Sequence, residues 1–317
     1  MAAPVVNVDE DRAVGCLLGL ACGDALGGPV EFRSREEIAR EFPEGVRDFV
    51  GGGWLGLAPG EVTDDTQLTL AVGAALVEEG FDPLVLTREL LTWYRSGPKD
   101  IGNTTRAALA ALAEGTAWRD VGPRAMKVVG DRSASNGALM RSAPVALRFR
   151  LNPAQLDQVS MDAARVTHAD PRCLWSAVAL NRAIAVLLNG GSPTKALAVA
   201  AAVTEPETRR ALLAVAEKAR DSVRSTGYVL DTLGAAFWCL LHHDDFEETI
   251  VAAVGFGDDA DTTGAVAGAL AGARYGAATI PRRWLDRLER RSEIERLARR
   301  LLDLSDDGGR QSSRGYR

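Results

Sequence analysis

Apolar residues recur three and four positions apart along most of this chain, and that spacing restricts the fold more than any other feature. It places apolar side chains on one face of a helix. Gly, Pro, Asn, Asp and Ser separate the stretches, and no long alternating run predicts a strand. We therefore predict an all-α fold. The predicted helices are 64–79, 83–95, 104–114, 137–149, 154–167, 172–189, 193–203, 206–223, 229–241, 245–255, 261–275 and 282–303.

No linker-like stretch and no repeat of fixed period divides the sequence. We therefore predict a single compact multi-helix domain over residues 8–304. The segment 305–317 is rich in Asp, Gly, Ser and Arg, and this composition predicts a disordered tail. The first seven residues are also predicted to be disordered.

Composition excludes several classes of function. The 317 residues are 46% apolar and 25% charged, as in ordinary globular proteins. No uncharged apolar run of about 18 residues predicts a membrane span, and the first residues lack the pattern of a secretory signal. We expect a cytoplasmic location and no membrane partner. The net charge of −6 argues against general nucleic-acid binding. The four cysteines lack metal-site spacing and are expected to be buried thiols.

Two short acidic clusters each stand directly ahead of an apolar helical stretch. The first is Thr63-Asp64-Asp65, and the second is Asp258-Asp259-Ala260-Asp261-Thr262-Thr263. Their carboxylates and hydroxyls are hard oxygen ligands of the kind that Mg²⁺, Mn²⁺ and Ca²⁺ prefer. If the two clusters face each other in the fold, they form a two-metal site, but their spacing alone does not show that they do.

Helix capping is the alternative explanation for either cluster alone. Ser, Thr and Asp are preferred N-cap residues, and the helix dipole favours an Asp in the first turn by roughly 0.3–1 kcal/mol. A cap needs only one such residue, however. Asp258, Asp259 and Asp261 repel one another unless a cation or a partner offsets their charge. This excess of carboxylates favours metal binding.

The stretch from Gly264 to Ala273 consists almost entirely of glycine and alanine. Glycine inside a helix costs roughly 1 kcal/mol relative to alanine, so its frequent use indicates that a neighbouring helix or a ligand approaches closely. We predict a central buried helix with a site at its N-terminus; simple tight packing is compatible with the same pattern.

Several segments of the chain occur in the order of a known family. They are residues 15–32, 61–67, 135–141, 167–168, 227–233 and 257–264. Together they resemble the ADP-ribosylglycohydrolase family over about residues 12–285. The resemblance implies an all-α fold with a dinuclear Mg²⁺ or Mn²⁺ centre. It also implies hydrolysis of the N- or O-glycosidic bond at C1″ of an ADP-ribosyl group.

By position, the resemblance implies a set of metal ligands. Asp258 falls where the family often has Gly or another small residue, so it is not expected to bind metal. The implied ligands of the two divalent cations are Thr63, Asp64, Asp65, Asp259, Asp261 and Thr262.

Two acidic residues are candidates for the proton transfers that glycosidic cleavage requires. Glu31 follows Gly-Gly-Pro-Val after a helical run, so it is expected in a loop near the site. Asp100 begins an Asp-Ile-Gly segment that is similar to one in the bacterial relatives. The alternatives are a surface glutamate at Glu31 and a helix cap at Asp100.

Five further residues are candidates for substrate binding. Ser135, Asn136 and Gly137 precede a predicted helix, where backbone N–H groups suit a diphosphate; an N-cap is the alternative. Tyr228 could stack on adenine or contact the ribose, and core packing is its alternative. His168 resembles a family position that lines the pocket, although a single His is more often structural.

The predicted function is metal-dependent hydrolysis that releases ADP-ribose from an ADP-ribosylated protein or another acceptor. An arginine-linked substrate is preferred, because the segment Asp100-Ile101-Gly102 looks closer to the nitrogenase-regulating relatives. The alternatives are a serine, nucleobase or small-molecule linkage, and a non-catalytic member that binds ADP-ribose. The sequence leaves open the acceptor, the choice between Mg²⁺ and Mn²⁺, the oligomeric state, and whether Glu31 or Asp100 is the acid/base.

Overall fold

Helices form the framework of the computed structural model, which describes residues 8–78 and 80–314. Within these ranges there are sixteen α-helices, five short 3₁₀ turns and two isolated β-bridges, so the all-α prediction is confirmed. The helices are α1 (Val8–Gly27), α2 (Arg35–Glu41), α3 (Asp64–Leu76), α4 (Pro83–Arg95), α5 (Asn103–Ala113), α6 (Trp118–Val129), α7 (Ala143–Phe149), α8 (Pro153–Arg165), α9 (Pro171–Leu188), α10 (Pro193–Val203), α11 (Pro206–Val215), α12 (Val229–His242), α13 (Phe246–Val254), α14 (Ala260–Tyr275), α15 (Arg282–Leu285) and α16 (Arg291–Arg314).

Two helices of the structure, α2 and α6, are not predicted from the spacing of apolar residues. Helix α2 is missed because it is only seven residues long, and a capping box between Ser34 and Glu37 starts it. Helix α6 is missed because Gly122 and Pro123 read as a break. A Cβ on Gly122 would overlap the carbonyl oxygen of Arg165, so the glycine lets α6 approach α8 closely.

Two predicted helices are partly non-helical, and a third is divided into two helices. The segment 137–149 is a 3₁₀ turn at Asn136–Ala138 followed by α7, which begins with Pro144 in its first turn. The segment 206–223 is helical only to Val215. The segment 282–303 is two helices, because Arg290 has a φ of 57° that interrupts the right-handed conformation.

Helices α1 and α14 lie at the centre of the molecule and contact each other along most of their length. Gly15, Gly19 and Gly23 on α1 face Gly272, Gly268 and Gly264 on α14. A Cβ on Gly268 would overlap the carbonyl oxygen of Gly19, and a Cβ on Gly19 would overlap that of Gly268. The two backbones therefore touch with no room for any side chain, and α14 is the buried helix that the sequence predicts.

This contact places the C-terminal end of α1 beside the N-terminal end of α14. A Cβ on Gly27 would lie 2.5 Å from the carbonyl oxygen of Ala260. The chain then turns through Gly28–Val30 to Glu31. Glu31 therefore lies near the N-terminal end of α14, where Asp259 and Asp261 are located.

Two helical segments, Asp9–Val30 and Pro171–Leu188, are long and apolar enough to span a membrane by length and composition. The first is completely buried inside the protein and the second is 67% buried, so both serve as core helices here. The four cysteines are buried free thiols, as predicted.

The predicted tail begins within the last helix. The backbone of α16 is helical to Arg314, and residues 1–7 and 315–317 lie outside the described residues. Disorder of the two termini stays a prediction.

The glycine contact predicts a large difference between two glycine substitutions. Gly268→Ala should destabilise the protein by about 3 kcal/mol or prevent folding, because the new methyl group overlaps backbone atoms. Gly234→Ala is the matched control within α12, where the methyl group would lie 3.6 Å from Val215. It should be neutral or stabilise by up to about 1 kcal/mol. Urea unfolding measures both changes, and similar stability of the two variants would contradict the packing argument.

Candidate active site

The two acidic clusters meet at one place in the fold. Helix α3 begins at Asp64, and α14 begins at Ala260, next to Asp259. The hydroxyl of Thr262 donates to Asp65 Oδ2 at 3.4 Å, which joins residues 197 positions apart. Asp64, Asp65 and Asp261 are all buried. We call these three carboxylates, together with Asp259, the acidic centre.

Asp24 on α1 is a further buried carboxylate, which the sequence analysis did not single out. It accepts hydrogen bonds from the backbone N–H groups and the hydroxyls of Thr63 and Thr66, at distances of 2.5 to 3.1 Å. These bonds fasten the N-terminus of α3 to α1. The signal in the sequence is an Asp inside an otherwise apolar helical run.

A cavity of about 630 Å³ opens above the acidic centre. Asp64, Asp259, Asp261 and Thr262 line it, whereas Thr63 and Asp65 lie behind its wall. Among the predicted metal ligands, therefore, four face the cavity directly. Asp65 contacts one of these four, because it accepts the hydrogen bond from Thr262, and Thr63 Oγ1 in turn lies 3.5 Å from Asp65 Oδ2.

Glu31 and Asp100, the two candidate acid/base residues, lie at the same end of the cavity. Each of them and Asp261 offers a carboxylate oxygen, and these three oxygens lie within 4.8 Å of one another. Such a group could hold a metal ion. The structure thus brings both residues to the acidic centre. From the sequence, only Glu31 is expected in a loop near the site, and Asp100 is a second candidate.

Burial raises the pKa of five carboxyl groups at this end of the cavity. The pKa values of Asp64, Asp65 and Asp261 lie well above the usual range, because desolvation and neighbouring carboxylates both disfavour the charged form. Burial raises the pKa of Glu31 to about 8, although a hydrogen bond from Trp54 opposes the shift. Burial also raises the pKa of Asp100. The centre therefore has a strong affinity for positive charge, either protons or a metal.

Arg141 is a buried cation close to this centre. Its Nη2 donates to Thr167 Oγ1 at 2.7 Å, and its charge acts on Asp64. Burial lowers the pKa of the guanidinium to about 10, so it remains charged at neutral pH. One arginine does not balance the several carboxylates beside it.

Asn136 does not present its backbone N–H group to an anion as predicted. That N–H donates to the carbonyl oxygen of Gly227 at 3.1 Å. The side-chain amide instead donates to Asp259 Oδ2 at 3.0 Å and to Thr232 Oγ1 at 2.9 Å. Asn136 therefore orients Asp259.

His168 supports the cavity wall from behind and does not line it. Its two ring nitrogens lie 2.7 Å from the Thr167 hydroxyl and 3.0 Å from the Ser135 hydroxyl. The side chain is 1% exposed, and burial lowers its pKa to about 3, so the ring is neutral. Gly137 is a wall residue, and a Cβ there would lie 3.1 Å from the His168 ring.

Ser135 and Tyr228 both line the cavity. The hydroxyl of Ser135 donates to Thr104 Oγ1 at 2.9 Å. The hydroxyl of Tyr228 accepts from Arg172 at 3.4 Å and donates to Glu207 at 3.3 Å. Because these contacts hold the Tyr228 hydroxyl, its ring rather than its hydroxyl is the group available to a ligand.

Phe32 and Trp54 stand at the mouth of the cavity. The indole N–H of Trp54 donates to Glu31 Oε2 at 2.6 Å, which fixes that carboxylate. The sequence analysis missed both residues. Asp258, by contrast, is exposed, and its backbone bonds to Phe32 and Arg33; this placement agrees with its exclusion from the ligand set.

Comparison with known proteins gives a consistent assignment. The family model described as ADP-ribosylglycohydrolase matches residues 6–311. ADP-ribosylarginine hydrolase Tri1 of Serratia proteamaculans is 38% identical over 94% of this chain and 80% of its own length. ADP-ribosyl-[dinitrogen reductase] glycohydrolase of Rhodospirillum rubrum is 38% identical over 96% of this chain and 97% of its own.

A solved structure gives the same result. It is an ADP-ribosylglycohydrolase-related protein complex whose chain superposes with a TM-score of 0.81 at 38% identity, covering 95% of this chain and all of that one. The helical architecture, the paired acidic clusters and the match over nearly the whole length show that this chain belongs to the ADP-ribosylglycohydrolase family.

Proposed function

We propose that this protein hydrolyses the bond between ADP-ribose and a modified arginine side chain and releases ADP-ribose. The observation that carries the proposal is the acidic centre at the base of a cavity of about 630 Å³, within the range of small-molecule sites. The named relatives from Serratia and Rhodospirillum are both ADP-ribosyl hydrolases, and the first is named for arginine.

The residues present fit a pair of divalent cations. Asp65 Oδ1 is buried and has no hydrogen-bond partner among the described residues, which leaves a free ligand oxygen at the centre. The donors are carboxylates and hydroxyls, which suit Mg²⁺ or Mn²⁺. Bound cations would orient the distal ribose diol and lower the pKa of a water. The residues that would hold them are Thr63, Asp64, Asp65, Asp259, Asp261 and Thr262.

The chain's own carboxylates would stabilise the reacting sugar. Glycosidic cleavage develops positive charge at the anomeric carbon. Asp64 and Asp261 line the cavity, and their negative charge would stabilise that positive charge. Arg106 and Arg132 also line the cavity and could pair with the diphosphate, which replaces the role predicted for the Asn136 backbone.

Glu31 is the group best placed to move a proton. One of its carboxylate oxygens lies within 4.8 Å of oxygens of Asp100 and Asp261, and burial raises its pKa, which favours the protonated form that a general acid requires. The Trp54 indole holds Oε2, which leaves Oε1 to face the leaving nitrogen or a water. Asp100, close to Glu31, would supply a second carboxylate.

We predict that divalent cations stabilise the protein increasingly as the pH rises. A carboxyl with a raised pKa stabilises the folded state below its unfolded pKa, and this contribution is lost as the pH rises through the folded pKa, which for Glu31 is about 8. The metal-free melting temperature should therefore fall from pH 5 to pH 8.5. Mg²⁺ or Mn²⁺ should restore it, with the larger gain at pH 8.5.

Asp65→Asn is the matched variant for that measurement, because it removes one buried charge at nearly constant shape. Without metal it should melt at or above the wild-type temperature, and its response to cations should shrink. If Mg²⁺, Mn²⁺ and EDTA leave the wild-type melting temperature unchanged at every pH, the metal assignment is contradicted.

The activity itself is tested on arginine-, serine- and nucleobase-linked ADP-ribose with Mg²⁺, Mn²⁺ or EDTA. We expect release of ADP-ribose from the arginine-linked substrate, dependent on metal. Release from another linkage alone would identify a different acceptor, and binding of ADP-ribose without release from any substrate would indicate a non-catalytic member.

Two substitutions separate binding from chemistry. Asp261→Ala should abolish turnover while the protein stays folded, because it removes a carboxylate from the acidic centre. Glu31→Gln should lower kcat by about 100-fold or more and change ADP-ribose affinity much less, as expected of a proton-transferring group. Circular dichroism checks folding. The reverse pattern for Glu31→Gln, weak binding with an unchanged kcat, would show that Glu31 only positions the ligand.

A further inference from the structure

Two large aromatic side chains stay exposed at the mouth of the cavity. Phe32 is 67% exposed and Trp54 is 55% exposed, whereas most large apolar side chains of this protein are buried. Their ring centroids lie 5.5 Å apart, with the planes tilted by 42°. We call them the aromatic pair. Because the two rings contact each other, they form a continuous apolar patch beside the cavity, and such patches are candidates for contact with a ligand or partner.

The backbone of Phe32 adopts an unfavourable conformation. Phe32 has a φ of 62°, a conformation that is rare for a bulky residue, and its N–H donates to the carbonyl oxygen of Asp258 at 2.6 Å. An unfavourable conformation that the surrounding structure maintains is often tied to function. Here it turns the Phe32 ring outward, next to Glu31.

Trp54 is held by a loop of residues 51–60 that packs tightly on the chain before Glu31. Gly52 and Leu57 bond across the loop at 2.7 and 2.8 Å. Gly53 has a φ of 69°, and a Cβ there would lie 2.9 Å from Pro29. Only glycine allows this approach, so the loop presents the indole in a fixed position.

The aromatic pair borders the carboxylates of Glu31, Asp100 and Asp261 in the same cavity. Trp54 is bonded to Glu31, whose carboxylate lies within 4.8 Å of those of Asp100 and Asp261. If a sugar bound at the acidic centre turns its anomeric carbon to Glu31, its leaving group lies beside the two rings.

We propose that the aromatic pair binds the guanidinium of the modified arginine and sets the preference for that acceptor; this inference rests on the proposed function. A guanidinium is a planar cation that stacks on aromatic faces. Glu31 and Asp100 add carboxyl oxygens beside the rings that can accept hydrogen bonds from the guanidinium. A serine oxygen or a neutral base offers no such cation, so the pair discriminates by the charge and the shape of the leaving group.

Phe32→Leu is the sharpest test, because it keeps an apolar side chain, removes the aromatic face and leaves the Trp54–Glu31 hydrogen bond intact. KM for ADP-ribosylarginine should rise about two- to fivefold, the range of exposed cation–π contacts. KM for ADP-ribosylserine, where it is turned over, and the inhibition constant of free ADP-ribose should stay unchanged. Phe32→Tyr should retain wild-type values. Leu84→Ala, at an exposed apolar side chain on α4, is the control.

Three results would overturn the inference. Equal weakening of ADP-ribosylarginine and free ADP-ribose would place the aromatic pair at the adenosine end. No change in any constant would leave the pair without a role in recognition. Loss in Phe32→Tyr as large as in Phe32→Leu would show that the aromatic face is not what matters.

Failure of the proposed function is visible in the wild-type protein alone, as no release from the arginine-linked substrate. In that case the intact ADP-ribosylarginine and free ADP-ribose are titrated by calorimetry into wild type and Phe32→Leu. Weaker binding of the first ligand only would still support the acceptor site, and equal binding of the two ligands by both proteins would exclude it.

Discussion

The contact between the backbones of α1 and α14 determines the position of everything at the site. Helices usually keep their axes apart by the width of their side chains. Here glycines at every fourth position on both helices remove those side chains, so Gly19 and Gly268 touch through main-chain atoms. Glycine is unfavourable within a helix, and the close packing along the whole interface compensates for it. In return, the end of one helix is fixed against the start of the other with little freedom to slide.

That fixed geometry makes it possible to gather several buried carboxylates. Asp24 bonds to Thr63 and Thr66 and so holds α3 on α1, while α14 brings Asp261 from the other side. Without a cation, the repulsion among these groups opposes folding, and Arg141 offsets only part of it. The stability of the glycine-packed core must therefore exceed the electrostatic cost of the site. A bound cation would offset the repulsion among these carboxylates, so that the charged centre would no longer oppose folding of the rigid core.

The sequence predicts the parts of this arrangement that depend on short-range order. Periodic apolar residues identify most long helices, and the acidic clusters at the starts of α3 and α14 identify the centre. Periodicity shows which face of a helix is apolar but not which helix it meets. Hence the bond between Thr262 and Asp65, the role of Asp24 and the bond from Asn136 to Asp259 required the structure. Trp54 was missed for the same reason, since its partner Glu31 is 23 positions away in a loop that has no periodic signal.

Different interactions hold the base and the mouth of the cavity in position. The base consists of two helix starts: α14, which carries Asp261, is fixed by backbone contact with α1, and α3, which carries Asp64, is fixed by the hydrogen bonds that Asp24 accepts. The mouth consists of Phe32 and Trp54 on non-helical segments held by glycine turns and single hydrogen bonds. Substitutions there disturb few buried contacts. In the proposed function, the rigid base would bind ADP-ribose and the mouth would bind the acceptor, and Glu31 links the two because it contacts both Trp54 and the carboxylates of the base.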